Sequence, residues 1–304
     1  MGQIFVLTLK KYNTQFYIMK VLVCGHKSLA SRGLLEELKK HDGLVIWCFS
    51  RGEENRQGNV VTGDVFNMSE NRFLEEPFDV VINYILIKKD SIENNINYLK
   101  SLIDFCKKRQ VKRLIHVSTI SVYPNEVSFV DELSPIETDI VKKGVYGALK
   151  IKCDEFLTEA CVTGPSLSIL RPGYIVEEGE QPKFGGIMIS LPLNGAFLLG
   201  NKRTSLPLIY RSRMNMAIAN LIDSNISSGT YLLLDNNKGT KYSFVKQFTK
   251  RWVIWPPKNL SIFVAWVLWK FRIFNENKFH LVKGLFKNTV FDSIRTEKLL
   301  NVKF

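Results

Sequence analysis

No two cysteines of this 304-residue chain are close enough in sequence to form a C-x-x-C pair. Cys24, Cys48, Cys106, Cys153 and Cys161 are scattered through apolar runs, which excludes a disulfide scaffold and points to reduced core thiols in a cytosolic protein. The four histidines, His26, His41, His116 and His280, are equally dispersed. They offer no ligand spacing, so neither a structural nor a catalytic metal is expected. Apolar runs of the roughly 20 residues needed to span a bilayer are missing, as are repeats and low-complexity tracts. The opening MGQIFVLTLKKYNTQFYI has an apolar stretch of about six residues, shorter than the roughly seven to fifteen of a secretory leader. No small-residue cleavage site follows, and Val6 fails the Ser/Thr of a myristoylation signal. The fold is therefore expected to begin at Met19, with residues 1–18 an extra strand or a start-site artefact. Acid is also scarce: 29 Asp and Glu face 42 Lys and Arg, a net charge of +13. Without a recognisable nucleic-acid module that excess does not make a nucleic-acid binder.

Short apolar runs alternating with amphipathic stretches are abundant. Lys20-Val-Leu-Val-Cys24 reads as a strand, and Leu29 to Lys40 as a helix with Leu29, Leu34, Leu35 and Leu38 at helical spacing. Leu44 to Phe49 is a second strand, followed by a polar turn from Ser50 to Gly58. Phe78 to Asn83 is another strand, Ile92 to Lys108 a helix, and Arg113 to Ser118 a strand. Tyr146 to Glu159 reads as a helix and Leu167 to Arg171 as a strand that stops at Pro172. This rhythm predicts an α/β Rossmann-type doubly wound parallel sheet. We expect a dinucleotide-binding domain over residues 19–171, to which parts of 205–235 return. Residues 172–304 form mainly a smaller C-terminal substrate domain.

Gly25 stands where a glycine-rich turn would face a pyrophosphate. Ser28, Leu29 and Ser31 continue that turn, and Ser28 could donate its hydroxyl to a phosphate oxygen. At the end of the second strand Arg51 suits a 2′-phosphate, which favours NADP over NAD, or is an ordinary surface charge. Asp64 either meets an adenine amino group or caps a turn.

Tyr146 and Lys150, at i and i+4, share one helix face. A phenol is a poor base at neutral pH, and lowering its pKa from 10 to about 7 takes about 4 kcal/mol. The Lys150 ammonium beside it supplies part of that difference. Tyr146 would exchange a proton with a substrate hydroxyl while hydride passes to or from nicotinamide. Thr119, at a strand end, would hydrogen-bond the same oxygen.

VLVCG at Val21–Gly25, Gly63-Asp64, Asn95 in NINYLKSLIDFC, VSTISVYP, YGALK and LRPGYIV together resemble the extended short-chain dehydrogenase/reductases, the NAD-dependent epimerase/dehydratase family that modifies nucleotide sugars. The resemblance implies the Ser/Thr role for Thr119 and the acid/base role for Tyr146. Lys150 would hold the nicotinamide ribose and tune Tyr146. It adds Asn95 to the cofactor set and lays Pro172, Gly173 and Tyr174 against the nicotinamide. A dimer through a pair of helices is also implied. Ser28 and Ser31 replace family glycines, Tyr84-Ile-Leu replaces small residues after the fourth strand, and Arg213 replaces an aspartate.

Sugar dehydratases of the family carry Asp-Glu after the threonine, because elimination needs an acid. Ile120 and Ser121 stand there instead, which disfavours dehydration. An epimerase and a keto-sugar reductase remain open, as does a non-catalytic dinucleotide-binding regulator of the same fold. The expected setting is surface polysaccharide biosynthesis. Arg203, Arg211 and Arg213 could clamp a substrate diphosphate or be surface residues.

From Lys238 to Phe304 fourteen Lys and Arg face Glu276, Asp292 and Glu297, a net of +11, and four of the five tryptophans fall there. Leu260 to Trp269 is apolar all round, which means burial in protein or lipid. It is either a packed helix of the substrate domain or a peripheral contact with an anionic membrane carrying lipid-linked or nucleotide-linked sugars.

Overall fold

Val21 and Val23 bury on one face of a strand, and Leu22 and Cys24 on the other, the two-sided burial that makes a central strand of a covered sheet. The computed structural model describes residues 18–87, 91–178, 188–193, 195–223, 225–235, 239–248 and 252–304. The expected extra strand before Met19, and Lys238, Lys250 and Arg251 of the basic tail, lie outside these residues.

In chain order the strands are β1 (Met19–Cys24), β2 (Leu44–Arg51), β3 (Asn55–Gln57), β4 (Val60–Gly63), β5 (Val80–Asn83), β6 (Arg113–Val117), β7 (Phe129–Val130) and β8 (Ser166–Pro172). There follow β9 (Tyr174–Val176), β10 (Met188–Leu191), β11 (Gly195–Leu198), β12 (Leu208–Tyr210), β13 (Gly229–Leu233), β14 (Trp252–Ile254) and β15 (Val290–Phe291). The helices are α1 (Leu34–Leu38), α2 (Ile92–Lys108), α3 (Val145–Ala160), α4 (Arg211–Leu221), α5 (Lys241–Phe248), α6 (Lys258–Lys270), α7 (Glu276–Leu285) and α8 (Ile294–Leu300).

Eight strands form one sheet in the order β13-β8-β6-β5-β1-β2-β4-β3. All pairs are parallel except β3 with β4. Strand order reverses between β1 and β5, and a crevice opens at the carboxyl ends of strands at such a switch point. One face of the sheet is covered by α1, α4 and the chain end, with Leu34, Met214, Ile218, Leu300 and Phe304 in a common cluster. On the other lie α2 and α3, with Tyr98, Leu102, Phe105, Leu149 and Leu157. Smaller sheets pair β10-β11-β14, β12-β9 and β15-β7.

Two local readings of the sequence are corrected. The helix expected over Leu29 to Lys40 is a single 3-10 turn at Leu29–Ser31, a break, and then α1. Gly33 makes the break at φ +74. The cause lies 180 residues away, where Arg211 donates to the Leu29 carbonyl and Asn215 to the Arg32 carbonyl at 2.9 Å. These contacts fix the chain in a path no continuous helix follows. The polar turn expected after β2 contains β3, a short antiparallel partner of β4.

Candidate active site

The switch point begins at Gly25, whose N–H donates to the Phe49 carbonyl at 2.8 Å. Its φ of +83 already favours glycine, and a Cβ there would lie 3.0 Å from Ile85 Cγ1. That close approach of β1 and β5 requires the one glycine retained in the turn. Ser31 is buried within it, with its hydroxyl 2.8 Å from the His26 carbonyl and 3.1 Å from that of Gly25. Ser28 caps the 3-10 turn by accepting from the Ser31 N–H at 3.2 Å.

At the end of β6, Thr119 Oγ1 accepts from the Ser121 N–H at 3.2 Å and starts a second 3-10 turn, Ile120–Val122. Helix α3 meets this turn at Gly147, next to the Ser121 carbonyl. Tyr146 and Lys150 are thereby carried to the end of β6. Tyr146 and Thr119 line the same cavity, and Thr119 favours the phenolate form of Tyr146. Lys150 is buried and donates to the Val117 carbonyl at 2.5 Å.

The Tyr146 side chain is 46% exposed, but its hydroxyl end is desolvated. Burial raises the phenol above its ordinary pKa and outweighs the lowering by Thr119, while Asp154 raises it further. Desolvation outweighs the stabilisation of the phenolate by its polar neighbours in this arrangement.

One cavity of about 660 Å³ joins the two ends of the site. Of the expected residues, Ser28, Leu29, Thr119, Tyr146, Lys150, Pro172, Tyr174 and Arg211 line it. Gly25 and Ser31 lie beneath the turn. Arg51 is exposed at the end of β2 beside Gly63 of β4, where Asp64 accepts from the Phe66 N–H at 2.9 Å. Asn95 is buried away from the cavity and ties down Ile87, accepting from its N–H at 2.9 Å and donating to its carbonyl at 3.0 Å.

The three arginines do not form a clamp. Arg203 is exposed outside the cavity, and Arg213 pairs with Asp235 at 2.8 Å. Arg211 binds Glu177 and the Leu29 carbonyl. It braces the turn.

Three features of the site went unread in the sequence. Lys241 and Lys287 line the cavity, and burial lowers the pKa of Lys241. Among the described residues no Asp or Glu lines it, while Lys150, Arg211, Lys241 and Lys287 do. Behind Lys150, buried Asp154 pairs with Arg171 at 3.1 Å, and Arg171 donates to the Tyr123 hydroxyl at 2.9 Å. Asp154 stands eight residues after Tyr146 on the same helix face, and Arg171 is a charge inside an apolar strand. Those were the available signals.

Tyr84 also lines the cavity, in place of a small residue. Its buried hydroxyl has no hydrogen-bond partner among the described residues. A polar atom of that kind beside a cavity calls for a partner from a bound group.

A doubly wound sheet whose switch-point cavity holds a Tyr-x-x-x-Lys helix beside a threonine-ended strand defines the short-chain dehydrogenase/reductase class. The sequence profile of the NAD dependent epimerase/dehydratase family matches residues 21–194, and the chain belongs to that family. No curated protein sequence matches it.

Among solved structures, the terminal R domain of the myxalamid PKS-NRPS pathway has a TM-score of 0.69 at 17% identity, covering 94% of this chain and 85% of that one. UDP-N-acetylglucosamine 4-epimerase from Bacillus cereus has 0.63 at 16%, covering 94% and 93%. The NAD complex of dTDP-glucose 4,6-dehydratase from Bacillus anthracis has 0.66 at 15%, covering 94% and 91%. The fold is common to all three.

Proposed function

We propose that this chain is an NAD(P)-dependent reductase or epimerase of a nucleotide sugar or related sugar ketone or carbinol, acting in surface polysaccharide biosynthesis. The convergence of Thr119, Tyr146 and buried Lys150 on one cavity carries the reading.

The orphaned Tyr84 hydroxyl and the turn at Ser28 and Leu29, open to the same cavity, fit a nicotinamide dinucleotide. Ser28, Leu29, Lys150 and Tyr174 would hold it, with Arg51 and Asp64 at the adjoining strand ends for its adenosine half and Arg51 favouring NADP. When bound, it supplies a hydride donor or acceptor.

Tyr146, protonated at neutral pH because its pKa is raised, donates a proton to a ketone oxygen that Thr119 also holds. In the reverse direction it takes that proton back. Lys150, anchored to the Val117 carbonyl, keeps a positive charge below the phenol and stabilises the phenolate left after donation. Lys241 and Lys287, with no Asp or Glu among the described residues lining the cavity, suit the diphosphate of a sugar nucleotide. Dehydration is disfavoured, since among the described residues no carboxylate lines the cavity to protonate a leaving hydroxyl.

The test is incubation with NADP or NAD and a panel of nucleotide sugars, followed by NMR, beside Tyr146→Phe. Turnover by the parent and its loss in the variant are expected. Equal turnover by both would remove Tyr146 from the chemistry. Cofactor binding with no turnover on any sugar would favour the regulator, a reading to which bulky Tyr84 and the shortened first helix lend support.

A further inference from the structure

Helix α6 is built inside out. Its buried positions are small, Ser261 and Ala265, while Leu260, Phe263, Val264 and Trp266 face solvent. Phe263 is 59% exposed, and Phe271 in the turn that follows is 76% exposed. At 100° per residue Leu260, Phe263, Val264, Val267 and Phe271 form one stripe. An exposed apolar stripe of this kind marks an interaction surface.

The charge around the stripe identifies what covers it. From Asn236 to Asn275 the sequence has eight Lys or Arg and no acid. Lys258 and Lys270 of α6, Arg272 in the turn after it and Lys278 of α7 are all exposed, and the nearest acid in sequence is Glu276 at the start of α7. Lys270 Nζ lies 6.0 Å from the Trp266 ring centroid and 5.2 Å from that of Trp269. Aromatic rings flanked by cations match the boundary between acyl chains and anionic headgroups. A second copy of the chain fits poorly, because a two-fold contact would bring two surfaces of the same positive sign together. Among the described residues no helix is long and apolar enough to cross a membrane, so the contact is with the surface layer.

We propose that α6 and the Phe271–Ile273 turn lie in the headgroup layer of an anionic membrane. Helix α7 then joins that surface to the cavity. Its Val282 and Phe286 pack with Ala265, and Phe279 stacks on Trp269 at 5.2 Å. Leu281, Gly284 and Leu285 of the same helix line the cavity. Docking places the cavity one helix from the bilayer, within reach of a lipid-linked sugar. The surface contact stands apart from the proposed chemistry and is read by binding alone.

Flotation of the full chain with vesicles of phosphatidylcholine, alone or mixed with phosphatidylglycerol, tests this. The chain is expected to float with the mixed vesicles at low salt, to be released by high salt, and to stay behind with phosphatidylcholine alone. Phe263→Glu combined with Phe271→Glu should abolish flotation. Lys270→Gln and Arg272→Gln should each weaken binding about fivefold.

Because the glutamate variant changes two exposed apolar residues, its melting temperature is measured beside the parent. Tryptophan quenching by brominated lipids in the unaltered chain reads the same contact without substitution. Failure to float with anionic vesicles, or flotation of the glutamate variant like the parent, would overturn the proposal. So would a parent dimer in sedimentation equilibrium that the glutamate variant dissolves, which would assign this face to self-association.

Discussion

At neutral pH the Tyr146 phenol keeps its proton, because desolvation outweighs the lowering by Thr119. The pH dependence follows with a definite sign. The protonated form is the donor in reduction, so kcat/KM for a keto-sugar should stay level through neutral pH and fall only above the ordinary phenol value. A profile falling with a midpoint near pH 7 would contradict this. Tyr146→Phe should lower kcat by about 10²–10⁴-fold with little change in melting temperature, since the side chain is half-exposed. Asp154→Asn acts differently: it leaves buried Arg171 without its carboxylate, a loss of about 3–5 kcal/mol by denaturant titration. Tyr146, Lys150 and Thr119 were legible because their relation is set by one helix turn and one strand end. The Asp154–Arg171 pair was not, because it forms across two elements and Arg171 reads in sequence only as the last residue of a strand.

Elements with strong local signals formed where the sequence placed them. Helix α2 runs from Ile92 to Lys108, with Ser91 accepting from the Asn94 N–H at 3.2 Å as its cap. The first helix failed to form as read because its path is decided by Arg211 and Asn215 of α4. Strand β3 is too short and polar to show an alternating pattern, and pairing with β4 alone defines it. Gly25→Ala tests the turn between β1 and the 3-10 segment. A Cβ at φ +83, 3.0 Å from Ile85 Cγ1, should cost about 1–2 kcal/mol and raise the KM for cofactor. Arg211→Ala should also raise that KM, by releasing the Leu29 carbonyl, while leaving the NMR product pattern unchanged. A cofactor KM equal to the parent's in both variants would show that the turn does not contribute to the cofactor site.

Across the whole molecule the doubly wound parallel sheet was readable from the alternation of runs, since right-handed crossovers leave few alternatives. The packing of the chain end was not: Leu300, Val302 and Phe304 join the core beneath β1, but so few residues carry no period to read. The substrate side is tested by Lys287→Gln, which removes an exposed cation from the cavity wall. The KM for a nucleotide sugar should rise roughly tenfold with kcat unchanged. The same cavity, lined by three lysines and, among the described residues, by no acid, also acts at a distance. Its field extends roughly 10 Å into solvent at 0.1 M salt and steers anions toward the opening before any contact forms. Encounter, rather than chemistry, is then the salt-sensitive stage: added salt slows capture of a charged sugar and leaves a neutral one unaffected.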